Sequence, residues 1–115
     1  MENFTTRVEL QNPDEGDYDL LHQEMYDALF YRAIKHSGTW HDMPTAEYDC
    51  LSDLTTTFIY NLAYTTVKTI IDNKPVNDQH QEKDFWLIVT KTDGDRVFKL
   101  PITTDINNLP PGETL

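Results

Sequence analysis

The chain has 115 residues, 38% hydrophobic and 25% charged, which suits one soluble domain with one modest core and excludes a largely disordered segment. No apolar run is long enough to span a bilayer. Met1-Glu2-Asn3-Phe4 has neither the basic nor the apolar region of a signal peptide, and the single cysteine, Cys50, makes no internal disulfide, so a cytoplasmic protein is expected.

The formal net charge is −11 and it is unevenly spread: residues 1–54 carry 12 acidic and 3 basic side chains, and residues 55–115 carry 8 and 6. The acidic half would repel a phosphate backbone and steer basic partners toward itself. A surface that only keeps the protein soluble is the simpler alternative.

In chain order, Phe4 to Leu10 alternates as a half-buried strand, with Phe4, Thr6, Val8 and Leu10 on one side and Thr5, Arg7 and Glu9 on the other. Asn12 to Gly16 breaks it, and Asp14 is placed to cap a helix over roughly residues 15–29. Tyr18, Leu21, Met25, Ala28 and Leu29 form that helix's apolar face. Six acids and no base lie between residues 14 and 27, so this helix is the most negative element. Phe30 to Lys35 reads as a second strand and His36 to Thr39 as a turn, with Gly38 at positive φ. Trp40 to Met43 and Thr45 to Cys50 form a third strand that Pro44 interrupts, as a bulge or an edge would require.

Ser52 or Asp53 caps a second helix over roughly residues 54–72. Ile59, Leu62, Ala63, Thr66 and Ile70 are its core stripe, and Tyr60, Tyr64, Val67 and Ile71 lie beside them. Asn73 to Asp84 is a polar loop. Phe85 to Thr90 is the most apolar strand and is expected to be central. Thr92 to Asp95 makes an Asp-Gly hairpin turn, and Arg96 to Ile102 a further C-terminal strand. Residues 1–102 then form a single domain, and residues 103–115 a tail that is flexible or docks as an extended arm.

This order predicts an α+β fold, a ferredoxin-like β-α-β-β-α-β sandwich with an additional C-terminal strand and both helices on one face of an antiparallel sheet. The other sheet face would be free for a partner, a second copy of the chain included.

The run Phe4-Thr5-Thr6-Arg7-Val8-Glu9-Leu10, the helix start Asp17-Tyr18-Asp19-Leu20-Leu21-His22 and Pro44-Thr45-Ala46-Glu47-Tyr48 resemble the GhoS-type antitoxins of type V toxin–antitoxin systems, over roughly residues 4–100. That family is similar to the small CRISPR-associated ribonucleases. The resemblance implies a ferredoxin-like homodimer and an endoribonuclease acting on messenger RNA. Those nucleases place a metal-binding Asp at the end of the first strand; here the strand ends Val8-Glu9-Leu10-Gln11, so no catalytic residue is carried over.

His36, His41 and Asp42 flank one turn. If its loop has four residues, the two imidazoles face each other and could bind zinc, with His22 as a third, or act as acid and base in RNA cleavage beside Arg7. Solvated turn histidines are the simpler reading, and neither a metal nor a cofactor is expected. Arg7, Arg32, Lys91, Arg96 and Lys99 could form a basic patch on the open sheet face beside Trp40 or Trp86, or pair with Glu9 and Glu47 instead. Cys50, near Asp49 and Asp53, is expected to be inert.

The expected function is a small acidic regulatory interaction protein, antitoxin-like or an inhibitor of a basic, nucleic-acid-binding partner, and conceivable as a nucleic-acid mimic. Asp17, Asp19, Glu24 and Asp27 would meet the partner's basic surface, and Tyr60 and Tyr64 would add an interface edge. A homodimer is expected, RNA binding is not favoured, and no membrane is involved. The alternatives are an endoribonuclease antitoxin and a structural subunit of a larger assembly.

Overall fold

The computed structural model describes residues 1–73, 83–92 and 96–115. The described residues form an α+β fold, with two α-helices, a three-stranded antiparallel sheet and a separate two-stranded ribbon. The order is β1 (Glu2–Gln11), α1 (Asp17–Asp27), β2 (Ala33–His36), β3 (Thr39–Asp42), β4 (Glu47–Ser52), α2 (Thr56–Asp72) and β5 (Asp84–Thr92). No helix among the described residues is long and apolar enough to cross a membrane.

β1 is the central strand, flanked by β4 and β5 and antiparallel to both. This corrects the expectation that the apolar segment from Phe85 is central. In β5 only Phe85, Leu87 and Val89 face the core, while Trp86 and Ile88 are exposed on the other side. The run is apolar on both faces without being buried on both.

Phe4, Val8 and Leu10 share one side of β1. They pack in one cluster with Leu21 and Met25 of α1, Ile59, Ala63, Val67 and Ile70 of α2, and Tyr48 and Cys50 of β4. Both helices therefore cover the same face of the sheet. Leu62, expected in the core stripe of α2, lies at the exposed margin instead, and Val67 takes the buried place.

The helix ends differ from expectation for local reasons. At the start of α1, the Asp17 carboxylate accepts from the Asp14 N–H at 2.8 Å, the reverse of a cap by Asp14. At its end, Leu29 N–H donates to the Tyr26 carbonyl and Phe30 N–H to the Met25 carbonyl, with Leu29 at φ 73°. This is a Schellman closure, and Phe30 and Met25 supply the apolar contact that accompanies it. It ends the helix before residue 29. Thr55, not Ser52 or Asp53, caps α2, its Oγ1 accepting from Phe58 N–H at 3.2 Å.

The expected third strand is two strands in different sheets. Glu47 N–H closes a turn onto the Pro44 carbonyl, with Ala46 at φ 62°, so β3 and β4 diverge. The β2–β3 ribbon turns through Ser37 and Gly38, at φ 50° and 81°, the two positive values that a two-residue type I′ turn demands. One isolated bridge, Tyr31 to Asp49, ties the segment before β2 to the outer edge of β4.

Arg96 to Ile102 is not a strand. Ile102 makes a single bridge to His41, and Thr103 N–H donates to the Trp40 carbonyl. A short 3-10 turn, Ile106–Asn108, then seats Leu109, which is buried, and the Tyr26 hydroxyl donates to its carbonyl at 2.8 Å. The tail is thus docked across α1. Most of the loop expected between residues 73 and 84, and the Asp93-Gly94-Asp95 part of the expected hairpin turn, lie outside the described residues.

Candidate functional site: an acidic helix flank and the cavity beneath it

α1 turns its buried side, Leu21 and Met25, to the core, so residues a half-turn away must face solvent. Asp19, Glu24 and Asp27 are exposed, and Glu15 just before the helix is exposed as well. None of these four forms an ion pair with another described residue; Asp27 accepts only from the Gln23 amide, at 3.1 Å. Asp17 does not belong with them. It is 3% exposed and paired with Lys83 at 3.0 Å, which also reaches Asp14 at 3.1 Å. Its place in the expected partner surface is corrected: the carboxylate closes the α1 entry onto the start of β5.

Glu24 and Asp27 sit in the last turns of α1, where the helix macrodipole is negative and no basic side chain offsets it. Helix stability does not account for them. Tyr60 and Tyr64 form an exposed pair on α2, ring centres 6.0 Å apart, and Tyr64 also touches Phe85. They lie toward β5, apart from the carboxylates.

The turn histidines are not opposite each other. His36 pairs with Thr39 and His41 with Ile34, because the loop has two residues rather than four. Both rings instead pack on Phe98, at 5.4 and 5.2 Å. His22 is elsewhere, hydrogen-bonded to Tyr48, and among the described residues no group of three or more His, Cys, Asp or Glu is placed to hold a metal ion. Arg7 lies on the open sheet face across from Glu47 and Ile88, in a depression that neither histidine lines.

The expected basic patch is likewise divided. Arg96 donates to Asp49 at 2.7 Å, Lys91 approaches Glu2 at 3.9 Å, and Arg32 opens toward α1 rather than onto the sheet's open face. Burial raises the Asp49 pKa, and the Arg96 hydrogen bond opposes that rise. The Cys50 thiol is pushed up to about 11 by burial and by the neighbouring Asp49, the opposite of what a nucleophile needs.

A cavity of about 370 Å³ opens directly beneath the acidic flank. It is lined by Asp19, His22, Gln23 and Tyr26 of α1, by Phe30 and Arg32, and by Asn107 and Asn108 of the docked tail. Alternation explains how Arg32 arrives there. Tyr31 is bridged to Asp49, whose side chain joins Arg96, so the neighbours Arg32 and Tyr48 emerge on the helix side. His22 Nδ1 is 2.7 Å from the Tyr48 hydroxyl. Burial, then the Arg32 charge, lower the His22 pKa to about 4, with Asp19 acting in the opposite sense. Burial raises the Tyr48 phenol above its ordinary value. At neutral pH, therefore, the His22 ring is uncharged; the buried Tyr48 hydroxyl has no other hydrogen-bond partner among the described residues, which favours the tautomer in which Tyr48 donates and Nδ1 accepts.

Sequence reading placed His22 only as a spare metal ligand and did not join it to Arg32, Tyr48, Asn107 or Asn108. No local spacing links these positions. The chain matches no family model, and neither a curated protein nor a solved structure shows significant similarity to it.

Proposed function

We propose that the chain is a regulatory interaction module, antitoxin-like or an inhibitor, whose α1 flank docks on the basic surface of a protein partner. The observation that carries this is the set of exposed carboxylates at Glu15, Asp19, Glu24 and Asp27, none ion-paired with another described residue, two of them at the helix end where they cost stability. A groove that binds nucleic acid has the complementary charge, and carboxylates spaced along a helix can occupy phosphate positions in it. Charge of this kind steers association and fixes partner choice more than it adds affinity.

The fold proposed for this module is ferredoxin-like. Its support is β1 lying between β4 and β5, with α1 and α2 on one side and Tyr31–Asp49 bridging the strand position next to β4. The resemblance to the GhoS-type antitoxins implies the same architecture. A homodimer would cover Trp86 and Ile88, which are 59% and 60% exposed on the open sheet face.

The test is affinity capture from the native host, followed by calorimetry with the purified partner at two salt concentrations. The Glu24→Gln/Asp27→Asn variant is expected to weaken association and to flatten its salt dependence. A partner bound equally well by that variant, at either salt concentration, would refute the docking mode. Loss of RNA on incubation with the purified protein alone would favour the endoribonuclease instead.

A further inference from the structure

We propose that the cavity beneath α1 is a binding site for a small zwitterion, a free α-amino acid, with its carboxylate on Arg32 and its ammonium on Asp19. The site does not depend on the protein-docking reading above. Its volume of about 370 Å³ lies at the small end of ligand pockets.

The charges choose the ligand class. Arg32 and Asp19 line the same cavity and each acts on the His22 ring. Yet no ion pair at 4.0 Å or less joins them. A gap between opposite charges that do not close on each other suits a molecule carrying both. Arg32 also has a buried Nε with no hydrogen-bond partner. Arg32 forms no ion pair with a described carboxylate, and the planar fork of a guanidinium matches a carboxylate.

The remaining walls agree. The Tyr48 hydroxyl occupies His22 Nδ1, so a ligand in the cavity that His22 lines has only the other ring nitrogen to bond. Asn107 and Asn108 supply amides, and the half-buried Tyr26 offers aromatic surface to a side chain. An inorganic anion would satisfy Arg32 but lie against Asp19 under the acidic flank. A simple amine would satisfy Asp19 but lie against Arg32. A zwitterion has no net charge to be repelled on approach and meets both groups.

The experiment is calorimetry and saturation-transfer NMR on the intact chain with the common free amino acids as the panel. At least one is expected to bind saturably with a Kd of about 1 mM or tighter. Its methyl ester and its N-acetyl derivative, each lacking one charge, should bind at least about tenfold more weakly. Arg32→Gln and Asp19→Asn should each weaken binding by about ten- to a hundredfold. Because the two derivatives are tested on the unaltered protein, a variant that fails to fold leaves the conclusion testable. Absence of saturable binding across the panel, equal binding of either derivative, or tighter binding of inorganic phosphate or acetate would each overturn the proposal.

Discussion

The Tyr48 hydroxyl lies 2.7 Å from His22 Nδ1, and this contact couples the core of the sheet to the wall of the cavity. Tyr48 is fully buried, so its phenol must spend its proton on a partner. His22 is that partner, and the bond holds the imidazole in one tautomer. Tyr48→Phe keeps the ring in the core and removes the donor. The expected cost is about 1–2 kcal/mol of stability, mostly from the acceptor left without a partner. Urea denaturation of the two proteins measures it, and equal midpoints would show that water replaces the phenol at no cost.

His22 also predicts a pH dependence. Its pKa is lowered from 6.5 to about 4 in the folded chain. Between those values the unfolded chain binds a proton that the folded chain does not, so stability rises with pH through this window. The contribution is complete above pH 6.5 and is lost as the pH falls toward 4. Histidine NMR titration should find this ring neutral at pH 5.5. The His22→Gln variant should lose stability less steeply than the parent over that interval; a ring titrating near 6.5 would contradict the assignment.

Leu29 holds a left-handed conformation, φ 73°, while 60% exposed. An L-residue pays for that conformation and glycine does not. Leu29→Gly should therefore stabilise the chain, by up to about 1 kcal/mol after glycine's greater unfolded-state entropy is counted. A clear destabilisation in thermal or urea melts would show that the leucine side chain contributes packing that its exposure does not suggest.

Leu109 is 1% exposed and its carbonyl accepts from Tyr26. Leu109→Ala should cost about 2–3 kcal/mol, at the low end for a buried leucine because the site lies at the edge of the fold. Amide exchange would then increase at residues 106–109 and along the Tyr26 face of α1. An unchanged melt would mean that the docked tail is energetically separate from the domain.

Cys50 is buried and its thiol is pushed up to about 11. A thiol reagent at pH 8 should leave the native chain unmodified and react rapidly once urea unfolds it. Stoichiometric reaction under native conditions would place Cys50 at the surface.

Several elements were legible before any coordinates. The alternation from Phe4 to Leu10 identified β1 and its buried face, and the spacing of Leu21 and Met25, and of Ile59, Ala63 and Ile70, identified both helices and the sides they bury. Period and charge are local properties, so the acidic flank at Asp19, Glu24 and Asp27 was readable as well. Local composition could not tell which strand takes the centre, since Trp86 and Ile88 look like core and face outward. Nor could it tell that Asp17 would be consumed by Lys83, 66 positions away. The cavity belongs wholly to the tertiary structure. It joins residues of α1, the segment before β2 and the tail, and Arg32 reaches it only because the Tyr31–Asp49 bridge sets which way the alternating side chains point. Pattern along a chain encodes which face of an element is buried; which charges meet across that face depends on strand order and register, and folding alone decides those.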